Sequence, residues 1–229
     1  MTNPGALTVL KQNPMFRGLP DSVLATVSGL CSNRQYDTGA VVFAQGERGK
    51  QLFGVISGQI RISTESANGQ ELYLNIIYPG EIVGEIAFLD GGTRTATGRA
   101  AQPSTCFVIQ RAPFMNLLER EPKLAVHLLE LVCSRARWTS KLVADSAFLS
   151  VPERLATRLA QLATARGDGP EQCRLRMSQV ELAQFLGVSR QVVNGHLQRW
   201  QKQGFVTLSR GSIVVHDLSA VFRGDVPPG

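Results

Sequence analysis

From Glu121-Pro122 to about Phe148 the sequence runs for roughly 26 residues without an internal helix breaker, and at about 1.5 Å per residue that predicts a helix about 39 Å long. Proline is tolerated in its first turn. Leu124, Leu128, Leu131, Trp138, Leu142 and Leu149 mark one apolar stripe along it. Ala125, Leu129, Val132, Ala136, Thr139 and Val143 mark a second, in steps of four, three, four, three and four. A helix with two apolar stripes has to be covered on two sides. A domain of the same chain can cover one. The second, with small residues that permit close approach, reads as a seam to a twin helix in a homodimer; the alternative is that one monomer buries both. Such a rod divides the chain into a part before it and a part after it.

Both parts are large enough to hold a core, since 229 residues suffice for two modest domains. No apolar run approaches the ~20 residues that span a bilayer, and Met1 to Leu10 lacks a basic start followed by a long apolar core. The chain is therefore expected in the cytoplasm, with no membrane partner. Its net charge of +6 is uneven: from Val151 onward ten basic residues stand against six acidic ones, which favours an anionic partner for the C-terminal part. The four cysteines, Cys31, Cys106, Cys133 and Cys173, show no paired spacing of the kind that binds zinc or forms a redox dithiol. Each reads as a small buried apolar residue, and no metal is expected.

In the first part, Val55-Ile56-Ser57-Gly58-Gln59-Ile60-Arg61-Ile62, then Asn68-Gly69, then Leu72 to Tyr78, then Pro79-Gly80-Glu81 reads as strand, tight hairpin turn, strand and turn. The stretch Gly84-Glu85-Ile86-Ala87-Phe88-Leu89-Asp90-Gly91-Gly92-Thr93-Arg94-Thr95-Ala96 follows, and it sets out the parts of a pocket. Arg94, after a glycine-rich turn, offers a planar fork to phosphate oxygens. A short helix beginning near Glu85 would aim free N–H groups at Ile86 and Ala87 toward the same anion. Ionised Glu85 only accepts hydrogen bonds, so it suits a ribose hydroxyl and would repel a phosphate. Anion and sugar recognition in one stretch describe a cyclic nucleotide site; the plainer alternative is an ordinary turn with a surface salt bridge. As a solvated pocket residue, Arg94 is expected to add little to the core.

Past a hinge near Ala147 to Leu149, Ser150-Val151-Pro152-Glu153 has the form of a capping box, and Arg166-Gly167-Asp168-Gly169-Pro170 reads as a loop. Ser178-Gln179-Val180-Glu181 caps a helix that ends at Leu186-Gly187, and Ser189 caps another that runs to about Gln203-Gly204. Helix, short turn with glycine, helix is the helix-turn-helix pattern. Ala183 allows close crossing, Gly187 permits the turn, and Val193 and Leu197 anchor the second helix. Val206 to Val215, with Arg210-Gly211 at its tip, reads as a β-hairpin wing. In this motif the N-terminal residues of the second helix enter the major groove of DNA. Arg190 can grip guanine O6 and N7, a contact worth about 1–3 kcal/mol of discrimination, while Gln191 favours adenine. Ser178, Ser189, Asn194 and Gln198 join them as candidate DNA contacts, with Arg199, Lys202 and Arg210 as basic ones and Lys202 as a backbone contact. His196 reads as packed or solvent-facing.

Hairpin, pocket stretch, long helix and winged helix-turn-helix in this order resemble the catabolite activator (CRP/FNR) family over nearly the whole chain. Asn13-Pro14-Met15-Phe16-Arg17-Gly18-Leu19-Pro20 looks like that family's opening helix. The resemblance implies an α+β fold: a cyclic-nucleotide-binding β-roll over residues 1–121, a dimerisation helix and hinge over 122–149, and a winged helix-turn-helix over 150–229. It implies cyclic AMP as effector, a palindromic double-stranded DNA operator, a homodimer, and RNA polymerase as a further partner. It places Thr139 and Ser140 against the purine, Ser140 from the other subunit, which would tie ligand to dimer; alternatively these hydroxyls only bond a preceding carbonyl. Thr95 directly after Arg94 resembles cyclic-nucleotide domains that favour cyclic GMP. Where the family's best-known readers carry Glu and, four residues later, Arg, this chain has Gln191 and Gly195, so a different half-site is expected.

Other readings compete. The same fold could answer to haem, redox state or a small acid, but family members with an iron–sulfur cluster use closely spaced N-terminal cysteines, and only Cys31 lies in that region. Glu85, Arg94, Thr139 and Ser140 also speak against it. A cyclic-nucleotide module without DNA function, or an enzyme regulated by one, comes from a different class. His127, His196 and His216 cannot be assembled by spacing into a nucleophile–base pair or a metal site, so no enzyme is expected.

Overall fold

A computed structural model describes residues 2–16, 18–165, 173–209 and 211–216. Arg17, the expected loop at residues 166–170 and the wing-tip Arg210 lie outside the described residues. Contacts divide the chain into two compact units, Met1–Gly69 with Leu74–Thr139 and Gln70–Tyr73 with Ser140–Gly229.

The first unit opens with α1 (Pro4–Gln12), a 3-10 turn (Pro14–Phe16) and α2 (Asp21–Gly29). Asn3 caps α1 by accepting from the Ala6 N–H, and Pro4 brings its fixed φ to the first turn. The opening helix expected over 13–20 is instead a 3-10 turn, Pro14–Phe16, that follows α1 in the chain. Pro14 has no N–H to continue the ladder, and Asn13 ties the turn down: its side chain accepts from the Met15 N–H at 2.9 Å and donates to the Gly80 carbonyl at 2.6 Å.

Strands β1 (Cys31–Tyr36), β2 (Val41–Phe43), β3 (Gln51–Ser57), β4 (Ile60–Glu65), β5 (Glu71–Ile77) and β6 (Ile82–Val83) follow, then a short helix α3 (Glu85–Asp90), then β7 (Thr97–Ala100) and β8 (Ser104–Gln110). They form two four-stranded sheets in the orders β1-β8-β3-β6 and β2-β7-β4-β5. Residues 55–62, expected as one strand, split between the two sheets at Gly58. That residue sits at φ +85°, and a Cβ on it would lie 2.2 Å from the Ser104 Oγ, so only glycine makes the bend. Asn68-Gly69 does close a hairpin between β4 and β5, the Gly69 N–H donating to the Ser66 carbonyl at 2.9 Å.

The two-residue period of β8 builds two cores. Cys106 and Val108 join Phe43, Phe53, Val55, Ile60 and Ile77 from both sheets. Phe107 and Ile109, on the opposite face, pack with α1 and α2 and with Leu124 and Leu128. After α4 (Arg111–Leu118) those two leucines begin the first stripe of α5 (Pro122–Phe148), a helix of 27 residues. The second stripe is bare in the single chain: Leu129 is 65% exposed and Val143 64%. Cys106 and Cys173 are buried and Cys31 is half-buried, but Cys133, expected inside, is exposed because it lies on α5 away from the covered face. Burial pushes the thiols of Cys31 and Cys106 up to about 12.

The second unit holds α6 (Val151–Ala165), β9 (Cys173–Leu175), α7 (Gln179–Leu186), α8 (Arg190–Lys202), β10 (Val206–Ser209) and β11 (Ser212–Val215). Its sheet has the order β10-β11-β9. The wing is therefore backed by a third strand, β9, whose three residues are too few for alternation to announce it. Leu155, Leu159, Val193, Leu197, Trp200 and Val215 are fully buried and form the heart of this unit.

Candidate functional site

Two glycines frame α3. Gly84 precedes it at φ +88° and Gly91 ends it at φ +72°. A Cβ on Gly84 would also stand 2.6 Å from the Arg94 Nη1, so backbone conformation and side-chain approach both require glycine there. Arg111, which no sequence pattern singles out, fastens the other end: its Nε donates to the Phe88 carbonyl at 2.6 Å and its Nη2 to the Leu89 carbonyl at 3.0 Å. The N–H groups of Ile86 and Ala87, in the first turn, have by position no acceptor within the helix.

The start of α3, from Gly84 to Ala87, borders a cavity of about 380 Å³ in the first unit. Phe43, Ile62, Leu74, Ile77 and Val83 make apolar walls, and Gly84, Glu85, Ile86, Ala87, Arg94, Thr95 and Thr139 also line it. Of that candidate set only Ser140 is not on the lining; it is exposed on α5. Volume and mixed lining suit a small ligand with one apolar and one polar side.

Arg94 is not the solvated residue expected from the sequence. It is 5% exposed, its Nη1 donates to the Gly84 carbonyl at 2.7 Å and its Nη2 to the Gln51 carbonyl at 2.5 Å. Its guanidinium carbon lies 4.7 Å from the Phe43 ring centre and 5.6 Å from that of Phe53, a cation–π arrangement. Burial lowers its pKa from the usual arginine value, with Glu47 and Glu85 opposing the shift. The guanidinium is thus clamped by the chain's own carbonyls and rings, which makes it a share of the fold's stability.

Glu85, likewise 5% exposed, meets Arg135 of α5, whose Nε lies 3.3 Å from the Glu85 Oε1. The Arg135 Nη2 donates to the Ile82 carbonyl at 3.1 Å. Arg135 and Trp138 both line the cavity, and neither was among the expected site residues. Trp138 falls on an apolar stripe and reads as packing; Arg135 stands one turn before Thr139 on the same helix, and that i, i+4 spacing was the available signal. The Thr139 hydroxyl donates to the Arg135 carbonyl at 3.0 Å, a local bond common for threonine on a helix, and Thr139 also lines the cavity.

In the second unit the turn chemistry follows the sequence. Ser178 and Glu181 form a reciprocal capping box on α7, Gly187 closes it at φ +64°, and the Ser189 side chain caps α8 by accepting from the Val192 N–H. Glu153 accepts from the Ser150 N–H and Oγ, both at 2.7 Å, and those bonds hold its carboxyl below the usual value. Arg158 lies over the Phe185 ring at 4.5 Å, and burial lowers its pKa to about 10, Asp145 opposing. With Val193, Leu197 and Trp200 inward, α8 exposes Gln191, Val192, Gly195, Gln198, Arg199 and Lys202, with Asn194 and His196 half-buried. It carries three basic residues and no acidic one. Ser178, Arg190, Ser209 and Gly211 border a groove of about 350 Å³ between the starts of α7 and α8 and the wing. Among the described residues no group of three or more His, Cys, Asp or Glu is placed to hold a metal, and no helix is long and apolar enough to cross a membrane.

Residues 33–121 match the family described as cyclic nucleotide-binding domain, and residues 153–221 match the Crp-like helix-turn-helix domain. A cyclic AMP receptor protein of Thermus thermophilus is 30% identical over 210 residues, covering 92% of this chain and 95% of its own. A CRP-like cAMP-activated global transcriptional regulator of Mycobacterium tuberculosis is 29% identical over 94% of this chain and 97% of that protein. Among solved structures, the c-di-GMP responsive global regulator of Xanthomonas campestris shares the fold with a TM-score of 0.76 at 24% identity, over 86% of this chain and 99% of that one.

Proposed function

Since the chain belongs to the CRP/FNR family of DNA-binding transcription regulators controlled by cyclic nucleotides, we propose that it acts as a cytoplasmic homodimer whose affinity for a palindromic DNA site rises when cyclic AMP fills the cavity of each β-roll. Members of this family are transcription regulators, not enzymes. The observation that carries the effector reading is the pairing of a clamped Arg94 with the open first turn of α3 around one cavity. The phosphate accepts hydrogen bonds from the remaining guanidinium N–H groups and from the Ile86 and Ala87 N–H groups, a ribose hydroxyl donates to a Glu85 oxygen, and the base lies against the wall of Thr95, Trp138 and Thr139. The functional segments are the β-roll over 1–121, the dimer helix over 122–149 and the DNA-reading part over 150–229, with RNA polymerase as a further partner. Calorimetric titration of cyclic AMP into nucleotide-stripped protein, repeated with duplex DNA present, tests the whole scheme. No heat of binding with any cyclic nucleotide would end it.

Thr95 supports a second ligand. It is exposed at the cavity wall beside Arg94, where a hydroxyl can accept from a guanine amino group, so cyclic GMP belongs in the same titration.

Thr139 and Ser140 lie on α5, the helix that also carries the bare stripe, and we assign them the coupling between ligand and dimer. Replacing both by alanine is expected to cut the nucleotide's effect on DNA affinity by about tenfold while nucleotide affinity changes only a few-fold, because phosphate and ribose contacts remain. An unchanged stimulation of DNA binding by nucleotide removes these residues from the switch.

On the DNA side, Arg190→Ala is expected to relax preference at one guanine per half-site by about 1–3 kcal/mol. Lys202→Ala is expected to lower affinity evenly across sequences and reduce the salt slope by about one. Selection from a randomised duplex library reads both. Identical preferred sites for the parent and the Arg190 variant would mean that α8 does not dock by its N-terminus.

A further inference from the structure

Gly195 stands in the interior of α8, a helix of 13 residues, where glycine destabilises relative to alanine. Nothing in the chain explains it. Its φ is not positive, and a Cβ built on it meets no heavy atom within 4 Å. Neither backbone conformation nor internal packing calls for the missing side chain.

Its neighbours on the helix surface supply a reason outside the chain. Gln191 lies four residues before it and Gln198 three after, so both share its exposed face. Val192, three residues before, is 40% exposed and is the apolar side chain beside the bare Cα of Gly195. The result is a shallow apolar depression in a surface otherwise made of Gln, Arg and Lys. With three basic residues and no acidic one on α8, that surface is complementary to a polyanion. In the major groove the apolar group a base pair presents is the C5-methyl of thymine.

We infer that Val192 and Gly195 form a seat for a thymine methyl, so that this regulator reads a thymine at a base pair apart from the guanine held by Arg190. The inference rests on α8 being the helix that enters the groove. It also explains why the departure at Gly195 is a gain as well as the loss of a basic contact: an arginine there would fill the seat.

The test uses the full-length protein with cyclic AMP and a duplex selected from a randomised library. Each thymidine is replaced in turn by deoxyuridine, which removes only the methyl, and affinity is read by fluorescence anisotropy. One position per half-site is expected to lose a factor of about 4, the value of one buried methyl-sized group. In Gly195→Leu and Val192→Ser proteins, checked for unchanged folding by melting, that loss should shrink below a factor of about 1.5. Gly195→Ala should melt higher than the parent yet bind the thymine duplex more weakly, whereas a glycine of no consequence would leave affinity unchanged or raised. Uracil tolerated at every position, while Arg190→Ala still relaxes a guanine, overturns the seat and leaves α8 docking in place. If Arg190→Ala also changes nothing, the docking of α8 is wrong and the seat falls with it.

Discussion

Arg94→Leu is expected to weaken cyclic AMP binding by about 100-fold or more, since charge-assisted hydrogen bonds to a phosphate are worth about 1.5–3 kcal/mol each. The same substitution is expected to lower the stability of the first unit by about 1–3 kcal/mol, because it leaves the Gly84 and Gln51 carbonyls without their buried donor. Arg94→Lys is expected to show part of both effects, because the charge stays while the fork that holds two carbonyls and a phosphate at once is lost. Calorimetry at a temperature where circular dichroism shows the variants folded reads the first effect, and thermal melting reads the second. Binding within a factor of two of the parent in folded Arg94→Leu protein would move the anion elsewhere.

Placing glutamate at both Leu129 and Val143 is expected to turn the homodimer proposed above into a monomer and abolish operator binding. Both side chains are more than half exposed in the single chain, so the substitutions leave its own core untouched. Burying each of them in a seam is worth about 1.5–3 kcal/mol, and the pair recurs in the twin, so association should weaken by at least about four orders of magnitude. Sedimentation velocity reads the state and gel shift reads the DNA affinity, while thermal melting at low protein concentration should stay within a few degrees. A dimer that persists would place the interface on another surface.

The parts of this fold written in local chemistry were legible. Capping residues, a glycine at each left-handed turn and heptad spacing gave α5, α7 and α8 nearly to the residue, because each signal acts within a turn or two of chain. What was hidden depends on distant partners. A Cβ at the Gly58 bend would strike Ser104, and Asn13 donates to a carbonyl 67 positions away. The same division runs through the cavity. Gly84, Glu85 and Arg94 lie in one stretch and could be read together, but the burial of Arg94 needs Phe43, Phe53 and Gln51 from other strands. The spacing of Arg135 to Thr139 hints at the cavity, but its pairing with Glu85 shows only once α5 is laid beside α3.

The chain has two tryptophans, and they fall on opposite sides of the division into units. Trp138 stands in the cavity wall, while Trp200 is sealed in the core around α8. Nature has in effect given each unit its own lamp: one indole shares its space with whatever occupies the cavity, and the other changes surroundings only when the second unit comes apart. Replacing either by phenylalanine leaves a protein that glows from a single known place, so the Trp200→Phe protein follows the cavity and the Trp138→Phe protein follows unfolding of the second unit, without any attached dye.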